Sequence, residues 1–329
     1  MLPLPPAESS SNLWEEGALC RASLQAFTER LITSLGVSQR DAERLRKYDS
    51  SRKEGNVYLH FPFCFREAFP TVALDDLRTI ALSGILWMSY MRAQDDTIDK
   101  AGETLNPGFL FLRDLYLRRS LHLLYKIFPH NSRFWDFYST FFDEYARSVL
   151  CEKANHSSIE SSYGDREFHG VAKGKAAMAK YPVAAQAVLS GQDEKMLLLT
   201  ESLDCFHVGY QYWDDLVDWK EDLANSKYSL LLTKALEHVA PDRRTGTDQL
   251  RERIGRVVYY SGLAEEHLDQ SFKWMERAYE LSITAGCTVW AAHVKSAQKQ
   301  TVALAADLRS IMLAQAARSH KARSGAAPA

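Results

Sequence analysis

The chain has 329 residues and is poor in those that interrupt helices, with only 16 glycines and 10 prolines. It shows no convincing alternation of apolar and polar residues at period two, which excludes a β-rich fold. No repeat recurs at solenoid spacing. Cysteine is also scarce: Cys20, Cys64, Cys151, Cys205 and Cys287 are scattered, odd in number and never in CxxC spacing. A disulfide framework and a zinc site are thereby excluded, and a reducing cytoplasm is the expected compartment. An excess of positive charge is missing as well, since 40 Lys+Arg stand against 42 Asp+Glu for a formal net charge of -2. No nucleic-acid partner is therefore expected. The most apolar run, residues 80–91, ends in charges and is too short for a transmembrane segment, so it reads as a buried helix. Residues 1–12 lack the basic and apolar regions of a signal peptide.

Apolar residues are plentiful, at 46% of the chain, enough to build a sizeable core. They recur at helical spacing in residues 75–98, through Leu77, Ile80, Ala81, Gly84, Ile85, Met88 and Met91. Residues 194–218 behave likewise, through Leu197, Leu198, Leu203, Phe206, Tyr210 and Trp213. Breaks fall at Pro62, Pro70, Asn106-Pro107-Gly108, Pro129, Pro182, Gly191 and 241–246. The pattern predicts roughly ten helices in a single all-α domain over residues 13–317. Disordered tails are expected at 1–12 and 318–329, and a mobile polar loop near a site mouth at 152–172.

Two acidic clusters carry the chemistry. Asp95-Asp96-Thr97-Ile98-Asp99 closes the first apolar helix, and Asp95 and Asp99 lie one turn apart on the same face. In the second, Asp214, Asp218 and Asp222 recur at i, i+4 and i+8, with Asp215 and Glu221 close by. Stacked like charges destabilise a helix unless a cation neutralises them. Hard carboxylate oxygens suit Mg²⁺, which takes one or two carboxylates and completes its octahedron with phosphate and water.

The run Tyr210-Gln211-x-x-Asp214-Asp215-x-x-Asp218, followed by Asp222 and by Lys227 near Ser229, resembles the second motif of trans-prenyltransferases of the farnesyl diphosphate synthase type. These belong to the class I isoprenoid synthase superfamily, and the resemblance covers residues 60–235 or so. It implies an all-α isoprenoid synthase bundle around a central cavity. It also implies three magnesium ions held by Asp95, Asp99, Asp214, Asp218 and Asp222, a prenyl diphosphate bridging both acidic helices, and a homodimer. A diphosphate-binding lysine is expected on a helix upstream. Lys173 and Lys175 both qualify, Lys175 being preferred because the apolar run continues directly from it. Lys227 and Arg166 are further expected diphosphate ligands. Asp96 is expected to stand behind the metal ligands. Trp87, Met91, Phe206, Tyr210 and Gln211 share faces with the aspartates and are expected to line the pocket, with Tyr90 at the position that limits chain length in such enzymes.

The departures from that family shape the expected reaction. The Arg-Arg pair that follows the first motif in chain-elongating enzymes is missing after Asp99, and so is their early Gly-Lys-x-x-Arg-Pro signature. With no evident seat for a second diphosphate, the expectation is a class I terpene synthase. Such an enzyme ionises a C15 or C20 prenyl diphosphate and releases a hydrocarbon or alcohol. The alternative is a trans-prenyltransferase that condenses an allylic diphosphate with isopentenyl diphosphate. Head-to-head coupling of two allylic diphosphates fits the motifs less well, and a catalytically silent scaffold would have lost aspartates from one motif.

Overall fold

The computed structural model describes residues 11–49, 60–99, 107–155, 164–240 and 247–324. Their helices, in chain order, are α1 (Ser11–Leu35), α2 (Gln39–Tyr48), α3 (Phe61–Cys64), α4 (Leu74–Asp99), α5 (Pro107–Leu124), α6 (Phe134–Asn155) and α7 (Asp165–Lys175). After a 3-10 turn at Ala177–Lys180 come α8 (Tyr181–Ser190), α9 (Asp193–Ala224), α10 (Leu230–Glu237), α11 (Thr247–Tyr260), α12 (Leu263–Thr284) and α13 (Thr288–Ser324). No strand occurs among the described residues. The all-α expectation holds, with thirteen α-helices among the described residues against roughly ten expected. Sequence punctuation undercounts because α2, α3 and α10 are short and carry too few apolar repeats to register. Of the expected tails, residues 1–10 and 325–329 lie outside the described residues; residues 11 and 12 open α1, and 318–324 continue α13. The expected loop at 152–172 is corrected at both ends, since α6 runs to Asn155 and α7 begins at Asp165. Its middle, 156–163, lies outside the described residues.

Contacts divide the chain into two compact units: residues 1–140, 180–199 and 283–293, and residues 141–179, 200–282 and 294–329. In the first unit α4 is the central element. Asp75 and Asp76 occupy its first turn, where carboxylates complement the helix dipole. Leu77, Ile80, Ala81 and Ile85 are fully buried, so the apolar run read from the sequence is core. α4 packs along α5, and the two are pinned by a buried bond between the Ser83 and Ser120 hydroxyls at 2.8 Å. The Tyr181 hydroxyl from α8 donates to Ser83 Oγ at 3.3 Å. Phe61, Phe65 and Trp290 form an aromatic cluster with centroids 5.1–5.4 Å apart. The Glu67 carboxylate accepts from the Thr288 and Val289 amides at 2.6 and 3.2 Å, satisfying the exposed donors that open α13.

In the second unit the central element is α9. Leu216, Trp219 and Leu223 sit at i, i+3 and i+7 and bury against Leu232, Ala235 and Leu236 of α10 and Ile254 and Val258 of α11. Each such side chain contributes about 1.5–3 kcal/mol when fully buried. A second face, Val208 and Tyr212, packs on Phe168, Val171 and Ala172 of α7. Gly209 lets α12 come close: a Cβ there would stand 2.8 Å from the Ser271 carbonyl oxygen. The Ser271 hydroxyl uses that proximity, donating to the Gly209 carbonyl at 2.7 Å.

Candidate active site

Within the second unit the acidic stripe of α9 is formed by Asp214, Asp218 and Asp222, which share one helix face at i, i+4 and i+8. Asp215 is buried and accepts from Gln211 Nε2 at 2.9 Å through Oδ1. Its other oxygen is buried with no hydrogen-bond partner. Burial pushes the Asp215 carboxyl up to about 7, opposed first by the Gln211 hydrogen bond and last by Lys175, with Asp222 and Asp214 adding to the rise. Asp214 is raised chiefly by burial and then by Asp218, again against Lys175. Burial, Asp218 and Asp214 together push Asp222 up to about 6, while Lys227 and Lys175 pull it down. These carboxylates are desolvated and mutually repelling, and one buried oxygen is orphaned. That is the donor chemistry a divalent cation satisfies. No group of three or more His, Cys, Asp or Glu converges as a ready-made metal site among the described residues.

Local structure explains how the lysines arrive. α7 and α6 meet at Gly174, where a Cβ would collide with the Ser148 side chain, so only glycine permits the approach. Lys175, next in the chain, therefore lies beside α6 and pairs with Glu152 at 2.7 Å. α7 is also tied to α9, because the Tyr212 hydroxyl lies 3.0 Å from His169 Nε2 and donates to Asp165 at 3.3 Å. Lys175 lowers all three of Asp214, Asp215 and Asp222, and Lys227 acts more strongly than it does on Asp222. Lys173 points elsewhere: its ammonium lies 5.5 Å from the centroid of the Trp274 ring. Arg166 is exposed in the first turn of α7 and forms no ion pair among the described residues.

Lys227 is placed by the end of α9. Ser226 takes a left-handed φ of 54°. The Ser226 amide donates to the Leu223 carbonyl at 3.2 Å, and the Lys227 amide reaches back to the Asp222 carbonyl at 2.8 Å. This double bond pattern is the Schellman stop, usually completed by glycine. It folds Lys227 back beside Asp222. Upstream, the Phe206 and Tyr210 rings stack at 6.3 Å, and Tyr210 meets Trp213 at 5.6 Å.

The first acidic segment, in the other unit, is built differently. Asp95 is exposed, and the side chain of Asp99 lies outside the described residues. Asp96 accepts a hydrogen bond from the Tyr48 hydroxyl and faces Lys47 Nζ at 3.5 Å, both from the end of α2. Burial raises the Tyr48 hydroxyl, with Asp96 adding to it and Arg44 and Arg92 opposing. Arg92 Nη1 is buried without a hydrogen-bond partner. Trp87 and Tyr90 are buried, with rings edge to face at 6.0 Å, and Met91 is half-buried. Arg113 lies over the Tyr90 ring at 5.6 Å and donates to Gln94 at 2.5 Å. Sequence reasoning missed Lys47, Tyr48, Arg92, Arg113 and Glu152. Only Arg92, one turn before Asp95, stood where its helix position alone would have drawn notice.

No protein-family model and no curated protein matches the chain. Solved structures do. A decaprenyl diphosphate synthase from Rhodobacter capsulatus superposes with a TM-score of 0.64 at 13% identity, covering 88% of this chain and 98% of that one. A geranylgeranyl pyrophosphate synthetase from the archaeon Geoglobus acetivorans gives 0.65 at 17%, covering 89% and 99%. A polyprenyl synthase from Caulobacter crescentus, complexed with calcium and isoprenyl diphosphate, gives 0.60 at 15%, covering 85% and 96%. The expectation of a terpene-cyclising lyase is overturned by these comparisons, because the structures matched are prenyl diphosphate synthases. The missing arginine pair after Asp99 does not by itself decide the reaction, because Lys47 of α2 and Arg92 of α4 stand beside that motif. The chain has the all-α isoprenoid synthase fold.

Proposed function

We propose that this protein is a trans-prenyltransferase, joining an allylic prenyl diphosphate to isopentenyl diphosphate. The observation that carries the reading is the Asp214–Asp222 stripe with Lys175 and Lys227 beside it, in a chain with the fold of prenyl diphosphate synthases. Asp95, Asp99, Asp214, Asp218 and Asp222 would hold magnesium. Bound there, the metal would supply Lewis-acid neutralisation of the departing diphosphate. In the transfer, the allylic C–O bond breaks with its electron pair leaving on diphosphate. The double bond of isopentenyl diphosphate then attacks the allylic carbon, and a proton is lost to the released diphosphate.

The protein's own part is positional and electrostatic. Lys175 and Lys227 offer fixed positive charge to phosphate oxygens, and such preorganised charge acts most strongly where negative charge develops. Glu152 orients Lys175, and the helix stop at Ser226 orients Lys227. Arg92, Lys47 and Arg44 give the co-substrate's diphosphate a seat in place of the missing arginine pair. Phe206 and Tyr210 present ring faces suited to a neighbouring carbocation. Trp87, Tyr90 and Met91 shape the space for the chain, and Tyr90 bears on its length. As in many proteins of this fold, the unit of function is a homodimer. No described helix is long and apolar enough to cross a membrane.

The test is incubation of C5, C10, C15 and C20 allylic diphosphates with Mg²⁺, with and without isopentenyl diphosphate. A longer diphosphate formed only when isopentenyl diphosphate is present supports the reading. Diphosphate release without it, or no turnover under any combination, rejects it.

A further inference from the structure

A cavity of about 480 Å³ lies between α1 and α5, within the first unit and lined by none of the aspartates discussed above. Each helix contributes one regular face. From α1 come Phe27, Arg30, Leu31 and Ser34, spaced i, i+3, i+4 and i+7. From α5 come Leu115, Arg118, Arg119 and His122 at the same spacing. Two helices that meet along such stripes normally bury apolar side chains. Here the facing stripes bring three guanidiniums and an imidazole together over an apolar floor.

The charges are not answered from within the protein. No carboxylate lines the cavity, and Arg30, Arg118 and Arg119 form no ion pair among the described residues. Arg119 instead lies over the Phe27 ring, 5.1 Å from its centroid, a contact that holds the guanidinium at the cavity wall. This differs from the arginines elsewhere in the unit. Arg46, Arg78 and Arg133 are each matched to a carboxylate at 2.9 Å or less. Guanidinium forks recognise phosphate oxygens bidentately, and the volume lies in the range of small-molecule sites.

The geometry points to a second ligand site between α1 and α5 for a phosphate monoester bearing a short apolar group. The phosphate is held by Arg30, Arg118 and Arg119, and the apolar group lies against Leu31, Leu115 and Phe27. This inference does not depend on the proposed catalytic activity, because no residue is shared with the aspartate segments.

Isothermal titration calorimetry with hexyl phosphate on the full chain, in EDTA at low salt, tests it. Chelation silences phosphate binding that relies on metal at the aspartates. The wild type is expected to bind one equivalent, more tightly than it binds inorganic phosphate. Arg118→Gln/Arg119→Gln should weaken binding about tenfold or more, as loss of charge-assisted hydrogen bonds implies. Circular dichroism should remain unchanged, since both residues are exposed. Arg30→Gln, on the opposite helix, should weaken binding too and serves if the double variant misfolds. The inference is overturned by absence of binding in EDTA, by binding indifferent to these substitutions, or by inorganic phosphate binding equally well. Sedimentation with phosphatidic-acid vesicles without binding of the soluble ester would overturn it as well.

Discussion

The two acidic segments look alike as strings of aspartates but are held in opposite ways. In the first, Asp96 is answered by the protein itself, through Tyr48 and Lys47, and Asp95 is exposed. In the second, Asp215 is buried, Asp214 and Asp222 are half-buried, and the carboxylates raise one another's affinity for protons. Burying unneutralised carboxylates works against stability. The second segment therefore stores an electrostatic demand that cations can meet, whereas the first has met part of its own. If so, the second should dominate both catalysis and the response to magnesium.

The largest expected effect follows directly. Asp214→Ala should lower kcat by at least about a hundredfold, the scale seen when a principal electrostatic contact to a developing charge is lost. The far-ultraviolet circular dichroism spectrum should stay helical. Asp96→Ala, by contrast, should reduce kcat only a few-fold. Equal losses in a steady-state assay would erase the contrast between the segments.

Next in size is the lysine pair. Lys175 is paired with Glu152 and acts on three aspartates, whereas Lys173 is drawn to Trp274. Lys175→Ala should raise KM for the allylic diphosphate about tenfold, equivalent to one charge-assisted bond. Lys173→Ala should leave KM within about twofold, a change of a few tenths of a kcal/mol. A KM that responds to Lys173 and not Lys175 would reverse the placement of the two.

A smaller effect concerns stability. Asp215→Asn keeps the acceptor for Gln211 but removes a buried charge, so the metal-free protein should become more stable by about 1 kcal/mol. That corresponds to roughly a 2 °C rise in melting temperature for a chain of this length. The gain should shrink when Mg²⁺ and inorganic diphosphate are added, since ligand binding then stabilises the wild type more. Scanning calorimetry with and without both ligands reads the difference. A variant less stable than wild type without ligands would show that Asp215 is already compensated.

Much of this was legible in the sequence, and the physical reasons are specific. α4 and α9 could be read because long amphipathic helices repeat their apolar spacing many times. The aspartate stripe could be read because i, i+4 and i+8 put side chains on one face whatever surrounds the helix. The choice between Lys173 and Lys175 could not, because it rests on a steric detail at Gly174 against Ser148. Nor could the pairing of Tyr48 with Asp96, which joins residues distant in sequence through the packing of α2 on α4. The error about reaction type has the same origin. A missing arginine pair at one place in the chain says nothing of cations that tertiary structure brings from elsewhere, such as Lys47.

The smallest predicted effect sharpens the comparison at its finest point, the end of α9. Ser226 holds a left-handed φ of 54°, where a Cβ-bearing residue pays about 1 kcal/mol or more and glycine does not. Ser226→Gly relieves that strain but gives the unfolded chain more freedom, which returns part of the gain. The net expectation is stabilisation by about 0.5 kcal/mol, with KM unchanged because the hydrogen bond from Lys227 to the Asp222 carbonyl persists. Ser226→Val should do the reverse: a β-branched residue resists this conformation, so the stop unwinds and Lys227 loses its place beside Asp222. Stability should then fall by about 1–2 kcal/mol and KM should rise, as measured by urea denaturation and steady-state kinetics. A valine variant that loses stability but keeps its KM would separate Lys227 from diphosphate binding. It would leave Lys175 as the cation that serves the acidic stripe.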